Sequence, residues 1–228
     1  MQQQPVNRTT DHQSGIVSTA LSGEVSKVLR NTYTLLSLTL LFSGAMAAFA
    51  VMTNAPYMGL WTLLGYFGLL FATSALRNSA WGILMVFALT GFMGYTLGPL
   101  LTAVLSLSNG SQIVTTAMFG TGAIFLALSG YVLTTRKDFT FMGGFLMVGM
   151  LVIFLAALGN IFFQIPAMSL AISAAVILLM SGFILWETSN IIHGGETNYI
   201  MATVSLYVSI FNIFQSLLMI LGIFGGDD

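Results

Sequence analysis

Long apolar runs, separated by short polar connections, are the main pattern of this chain. A helix that crosses a bilayer needs about 20 mostly apolar residues. The pattern therefore predicts seven membrane-spanning helices, called here the first to the seventh segment. The second is short, and the sixth ends in polar residues. The predicted segments are 33–52, 60–76, 81–105, 113–134, 141–163, 167–192 and 199–224.

The connections contain residues that end or begin helices. The sequences Asn-Ala-Pro at 54–56 and Ser-Asn-Gly at 108–110 are typical of turns. Pro166 fits the first turn of the sixth segment, where its missing N–H leaves no hydrogen bond unmade. Pro99 lies inside the third segment and removes a backbone donor there, so it predicts a kink.

The composition matches a membrane protein. Hydrophobic residues make up 57% of the chain and charged residues only 6%, whereas a soluble domain carries about 25% charged residues. We therefore predict an all-α integral membrane protein, with a seven-helix transmembrane domain at residues 27–228. Residues 1–26 are polar and lack apolar periodicity, so we predict a disordered cytoplasmic tail there and no secretory signal.

The basic residues predict the orientation of the chain. If the chain spans seven times, all six lie on one side of the membrane, and by the positive-inside rule that side is the cytoplasm. The N-terminus is then cytoplasmic, and the C-terminus lies on the opposite side. The six residues are Arg8, Lys27, Arg30, Arg77, Arg136 and Lys137.

Charge and residue types exclude several functions. The net charge of −1 leaves no basic patch for nucleic acid. The chain has no cysteine and two histidines, so disulfides and thiol catalysis are excluded and a transition-metal site is not expected. No nucleophile–base pair or phosphate-binding loop is visible. We expect no enzyme activity and no cofactor.

Glu187 is the acidic residue embedded in an apolar run. It lies five residues before Ile192, which places it about 7 Å inside the end of the sixth segment. A charge at the bilayer centre costs about 2.5–3.5 kcal/mol, so such a group usually faces the bundle interior. Burial disfavours the ionised carboxylate, and Glu187 could then exchange protons at physiological pH. In the alternative, Glu187 lies at the interface and merely solvates the helix end.

Polar side chains form a stripe along the seventh segment. Ser205, Ser209, Asn212 and Ser216 follow one another at steps of four, three and four residues, so they share one helix face. We expect this face to point inward. It could line a narrow polar path, or it could serve only interhelical hydrogen bonds, worth about 0.6 kcal/mol each on average.

Small residues also recur at helical spacing, and such faces let helix backbones approach closely within lipid. We expect two packing faces of this kind. One lies on the third segment, with Gly91, Gly94 and Gly98, and the other on the fourth, with Thr116, Gly120, Ala123, Ala127, Gly130 and Thr134.

Three further features are open to two interpretations. Arg77 could reach back toward Glu187, or it could extend to lipid phosphates, which we favour. His193 and Glu196 flank two glycines and fit a solvated turn better than a ligand site. The N-terminal tail could be inert, or it could be gripped by a membrane-bound unfoldase or protease.

Several motifs in this order resemble the transmembrane Bax inhibitor motif family. They are GFMGYTLGPLL at 91–101, YVLTTRKDFT at 131–140, WETSNII at 186–192 and LYVSIFNIF at 206–214. The sequences VLRNTY at 28–33 and HGGETNY at 193–199 further resemble the bacterial YccA-like branch. The resemblance covers the whole membrane part of the chain.

The resemblance implies a fold in which six helices surround a central C-terminal helix. It implies a multi-pass protein of the bacterial inner membrane, with the C-terminus in the periplasm. The YccA-like branch modulates FtsH, a membrane-anchored ATP-dependent protease, so the implied function is to bind and modulate an FtsH-type protease complex. The expected partners are that complex and the lipid bilayer.

Other family members imply an alternative, a pH-sensitive cation leak channel for calcium or protons, gated here at Glu187. In those members an acidic pair between helices six and seven senses pH. Glu187 matches the first acid, whereas Ser209 stands where the second acid is found. Arg77 matches the arginine that pairs with the acids. The residues that this alternative implies for sensing pH or ions are Glu187, Ser209, Asn212 and Arg77.

Overall fold

The computed structural model describes the backbone of residues 8–225 and the side chains of residues 23–225, and the regular elements in that range are helices. A short 3₁₀ turn, Thr140–Met142, precedes the sixth α-helix. The α-helices are α1 (Arg8–Met52), α2 (Leu60–Leu76), α3 (Ala80–Thr96), α4 (Gly98–Leu105), α5 (Gly110–Thr135), α6 (Gly143–Phe163), α7 (Pro166–Ile192) and α8 (Tyr199–Gly225).

Helices occupy every segment that the apolar pattern predicts. Within the described range, six helical stretches are long and apolar enough to cross a membrane, and α2 is a shorter apolar helix of 17 residues. One of the six is Gly23–Met52 within α1, and another is Ala80–Leu105, which joins α3 and α4. The predicted boundary at residue 27 lies inside α1. The predicted disordered tail, 1–26, falls largely on residues whose side chains are outside the described set, and it stays a prediction.

Pro99 interrupts the third segment at the place where a kink was predicted. The α3 helix ends at Thr96, and α4 begins at Gly98 with the proline in its first turn. At the break, the Leu97 N–H donates to Gly94 O at 3.1 Å, three residues back. This tighter turn satisfies the backbone beside the proline, which has no N–H to donate.

The glycines of the third segment form a close contact with α1, as predicted. A Cβ added at Gly94 would lie 2.2 Å from the Ser43 carbonyl oxygen. A Cβ at Gly91 would lie 2.5 Å from the Phe42 ring. Backbone and side chains of α1 therefore occupy the space that a larger residue in α3 would need.

The predicted packing face of small residues on α5 is wrong. Thr116, Ala123, Ala127 and Thr134 are exposed, and a Cβ added at Gly130 would meet no heavy atom within 4 Å. A different α5 face is buried, because α5 packs against α7 and α8 on that side. Its buried residues are Gly110, Ile113, Ala117, Thr121, Ser129 and Val132.

The core consists of three apolar clusters, and α8 contributes to each. Tyr207 packs with residues of α1 and α3. Leu218 belongs to a cluster with α1, α4 and α5. Ile213 belongs to a cluster with α6 and α7. Side chains on several faces of α8 are thus buried, which explains how an apolar helix can present its polar stripe to other helices.

Candidate functional site around Glu187

Glu187 lies inside the helix bundle, near the end of α7. Its side chain is 3% exposed. The α7 helix ends at Ile192, and a short loop leads into α8 at Tyr199. The two helices therefore run in opposite directions beside each other, and the end of α7 meets the beginning of α8. The Glu187 carboxyl group faces other helices and is withdrawn from both lipid and bulk water.

Ser205 of α8 is the polar neighbour of Glu187. Its hydroxyl group lies near the Glu187 carboxyl group. The acidic side chain of Glu196, in the loop between α7 and α8, also lies near Glu187. A second acid is therefore present near Glu187, but it comes from the connecting loop. Sequence reasoning placed Ser205 on the stripe without singling it out, and it assigned Glu196 to a solvated turn.

Ser209 and Asn212 lie deeper along α8 than Ser205. Ser209 is 3% exposed, and its hydroxyl donates to Ser205 O at 3.0 Å. The side-chain amide of Asn212 donates to Val208 O at 2.8 Å. Both side chains thus donate to carbonyl oxygens of their own helix backbone. The stripe faces the interior in part, with Ser216 also buried.

Arg77 lies outside this buried group. Its side chain is exposed in the connection between α2 and α3. Its backbone carbonyl accepts a hydrogen bond from the Asn198 side-chain amide at 3.1 Å. The structure therefore brings the backbone of Arg77 to the start of α8, while the guanidinium group stays at the surface.

Hydroxyl groups of α1, α5 and α7 form a chain that ends at Thr188, the residue after Glu187 in α7. The Tyr33 hydroxyl contacts the Ser129 hydroxyl, which lies 3.4 Å from the Thr188 hydroxyl. The hydroxyl of Thr32 is buried and has no hydrogen-bond partner. Sequence reasoning missed these residues, because their hydroxyl groups are spread over three helices and show no pattern along the chain.

Asn198 joins two connections at the same end of the bundle. Its side-chain oxygen accepts from the N–H groups of Ile200 and Met201 at 3.0 and 3.1 Å, which caps α8. Its side-chain nitrogen donates to Arg77 O and, at 2.9 Å, to the side-chain oxygen of Asn78. One asparagine therefore holds the first turn of α8 to the connection between α2 and α3.

Ser189 ties the connection between α5 and α6 to the end of α7. Its buried hydroxyl accepts a hydrogen bond from the Phe139 N–H at 2.8 Å. The His193 ring is exposed, and its Nδ1 lies 2.8 Å from Ser189 O. Asp138 is exposed in the connection between α5 and α6. Hydrogen bonds from the Thr140 hydroxyl and N–H lower the pKa of Asp138 below its usual value.

The end of the bundle where these contacts lie is polar, and Glu187 is the buried acid within it. Among the side chains of residues 23–225, no three His, Asp or Glu residues lie together in a way that could hold a metal ion. The Ser189 hydroxyl is already engaged with the backbone of the neighbouring connection. The arrangement can hold the connections in place around one buried acid.

The sequence matches the model of one protein family over most of its length. That family is Bax1-I, inhibitor of apoptosis-promoting Bax1, and the match covers residues 25–226. The chain belongs to this family. The resemblance inferred from the motifs is thereby confirmed, and the match covers α2 to α8 and the part of α1 from residue 25 onward.

Relatives of this Bax1-I chain include named and unnamed bacterial proteins. An uncharacterized protein of Pseudomonas aeruginosa is 57% identical over 206 residues, covering 90% of this chain and 93% of the relative. The modulator of FtsH protease YccA of Escherichia coli K12 is 55% identical over 202 residues, covering 88% and 92%. A membrane protein of Vibrio cholerae is 46% identical over 208 residues, covering 90% and 93%. The Bax1-I chain is a membrane protein with transmembrane helices.

Proposed function

We propose that this Bax1-I protein is an inner-membrane regulator that binds an FtsH-type ATP-dependent protease and modulates its action on membrane substrates. The observation that carries the proposal is the 55% identity, over 92% of its length, to the relative named modulator of FtsH protease. At that identity, over 88% of this chain, the two chains correspond over most of their length.

The proposed topology places the regulator's polar connections beside the protease. We propose seven spans, with α2 as the shortest, and an α8 that the other helices enclose. The connections that contain Arg77, Arg136 and Lys137 then face the cytoplasm, because they carry the basic residues. The C-terminus faces the periplasm. A membrane-anchored protease that works on the cytoplasmic side would meet the connections held by Asn198 and Ser189.

The rigidity of that cytoplasmic end supports a docking role. Asn198 and Ser189 bind neighbouring connections through hydrogen bonds of 2.8–3.1 Å. A surface held in this way loses less conformational entropy when a partner binds, which favours association. The N-terminal tail would lie on the same side and could be gripped by the unfolding part of the protease.

Co-purification tests the binding step. The full chain and a variant lacking residues 2–22 would be expressed at native level, and the membrane protease would be quantified in the detergent eluate. We expect the protease to co-purify with the full chain. A variant in which residues 2–22 are replaced by a Gly/Ser segment of equal length separates tail length from tail sequence. If no protease accompanies the full chain, the proposed binding is wrong.

Modulation is tested by the turnover of a membrane substrate of the protease. Excess full chain should slow degradation relative to a membrane protein of similar size. If binding depends on the tail, its deletion should restore normal turnover. Unchanged turnover with clear co-purification would leave the chain a partner of the protease and refute modulation.

A second candidate function is a pH-sensitive cation leak gated at Glu187. One observation favours it, the burial of this acid beside Ser205, since buried ionisable residues within membrane helices often lie on ion or proton paths. Flux of calcium and of protons into liposomes would be measured with Glu187→Gln and with Glu24→Gln, an exposed acid, as the control. Equal flux and equal pH dependence in both variants would refute gating at Glu187.

A further inference from the structure

A groove of about 550 Å³ lies at the end of the bundle opposite the charged connections. Its walls come from α4, from the corner between α6 and α7, and from the last turns of α8. Nine of its twelve lining residues are apolar or glycine, and the other three are Asn160, Gln164 and Ser169. None is charged. The groove is open on one side, where Ala103, Gln164 and Ile223 are exposed.

Water is a poor occupant of this groove. A buried water molecule needs two to four polar partners. The Asn160 amide nitrogen donates to the Ser169 hydroxyl at 2.7 Å, and the Asn160 oxygen accepts from the Ile165 N–H at 3.1 Å. These polar groups therefore bind one another and close the corner between α6 and α7. Apart from Gln164, the remaining wall offers apolar surface, where water would forfeit hydrogen bonds.

A spanning helix of another protein does not fit the groove either. An α-helix with its side chains is about 10–12 Å across and advances 5.4 Å per turn, so 550 Å³ holds about one turn. A long, flexible acyl chain can follow the groove. In the bilayer, acyl chains are the apolar material that surrounds the protein.

We propose that this groove holds one acyl chain of a membrane phospholipid, with the lipid head group beside Gln164. Gln164 ends α6 in the left-handed conformation, with φ of 50°. Gln164 lines the groove and is exposed, so its side-chain amide can hydrogen-bond to a glycerol ester or a phosphate. The bound lipid would fill the space between α4 and the corner of α6 and α7. In the orientation proposed above, it would belong to the periplasmic leaflet.

Contact with many wall atoms, together with the head-group hydrogen bond, would retain this lipid more tightly than the lipids around it. Transfer of an acyl chain from the bilayer to the groove brings no hydrophobic gain, because both surroundings are apolar. Retention therefore depends on close packing and on the polar mouth. Filling the groove with a side chain should then displace the lipid and leave the helices folded.

The test is native mass spectrometry of the full chain, purified in mild detergent from membranes that contain phosphatidylethanolamine and phosphatidylglycerol. The groove variant is Gly222→Leu. A Cβ at Gly222 would lie 3.5 Å from Val104 Cγ2, an ordinary contact, and the rest of the leucine would enter the groove. The matched control is Gly130→Leu on α5, where a Cβ meets no heavy atom within 4 Å.

We expect the unaltered protein and Gly130→Leu to retain one phospholipid, and Gly222→Leu to retain at least tenfold less. Equal retention in the three proteins, or retention in none, would overturn the proposal. If Gly222→Leu does not fold by circular dichroism, Ala103→Phe on the opposite wall takes its place.

The position of the lipid is tested with a phospholipid that carries a photoreactive acyl chain. We expect cross-links to Met219 or Gly222 of α8 in the unaltered protein and their loss when the groove is filled. Labelling confined to the exposed face of α5, or a polypeptide cross-linked in the groove, would overturn the assignment.

Discussion

The hydroxyl group of Tyr207 lies 2.5 Å from the hydroxyl group of Ser43 and thereby joins α8 to α1. The Tyr207 hydroxyl also donates to Thr90 O of α3 at 3.1 Å. The tyrosine is 1% exposed, so neither bond has water as a substitute. Three helices therefore meet at one buried phenol, in the part of the bundle where the glycines of α3 contact α1.

Replacement of Tyr207 by Phe removes this junction without changing the packed ring. Hydrogen bonds in proteins contribute about 0.5–1.5 kcal/mol each, so we expect a loss of about 1–2 kcal/mol of stability for the two bonds. Thermal unfolding in detergent measures it. Tyr57→Phe, at a site that is 85% exposed, is the control. Equal melting temperatures for the two variants would show that the Tyr207 hydroxyl does not stabilise the bundle.

Gly94→Ala should force α1 and α3 apart. Its new Cβ would lie 2.2 Å from Ser43 O, which is backbone and cannot rotate away. Overpacking of this kind costs about 1–3 kcal/mol. Gly44→Ala, next to Ser43 in α1, places a Cβ with no heavy atom within 4 Å. The control should be as stable as the unaltered protein or more stable, because alanine favours helix. A Gly94→Ala protein with an unchanged unfolding transition would contradict the close contact.

Two variants of Asn198 should separate its two roles. Asn198→Asp keeps a side-chain oxygen to cap α8 but loses the donor to Arg77 O and Asn78. Asn198→Ala loses both, and a lost N-cap costs about 1 kcal/mol. Hydrogen–deuterium exchange should therefore rise in the connection between α2 and α3 in both variants. In the first turn of α8 it should rise only in Asn198→Ala. If the connection stays protected in both, Asn198 does not hold it.

Asp138 should titrate below its usual pKa of 3.8, because Thr140 donates two hydrogen bonds to its ionised carboxylate. These bonds support the connection between α5 and α6 above pH 3.8, and that support is lost as the pH falls through the lowered pKa. Thr140→Val removes the hydroxyl donor and keeps the N–H. Carboxyl-carbon NMR titration should then give a pKa closer to 3.8. Thr135→Val, whose hydroxyl bonds to Tyr131 O, is the control and should leave the Asp138 titration unchanged.

The apolar pattern predicted helix positions well. Predicted segment 60–76 coincides with α2, and the predicted sixth segment ends at Ile192, as α7 does. Apolar run length and helix-ending residues are local properties, so they can be read along the chain. The interruption at Pro99 was predictable for the same reason, since a missing N–H acts within one turn.

The buried faces of the helices were predicted less well, because a helix face is buried only where another helix packs against it. The glycines of α3 meet α1, whereas the small residues of α5 face outward. Both rows have similar spacing in the sequence. The neighbours of Glu187 show the same limit. The family resemblance pointed to Ser209 as its counterpart, and only the structure shows that Ser205 also lies near it.

The sequence by itself determined that this protein is a helical membrane protein, where most of its helices begin and end, and to which family it belongs. These properties follow from hydrophobicity and local backbone chemistry. The tertiary structure decided that Glu187 lies beside Ser205, that Asn198 joins α8 to the connection between α2 and α3, and that a groove lies next to Gln164. Each of these depends on distances between helices that are remote along the chain, and such distances are set by the packing of whole helices against one another.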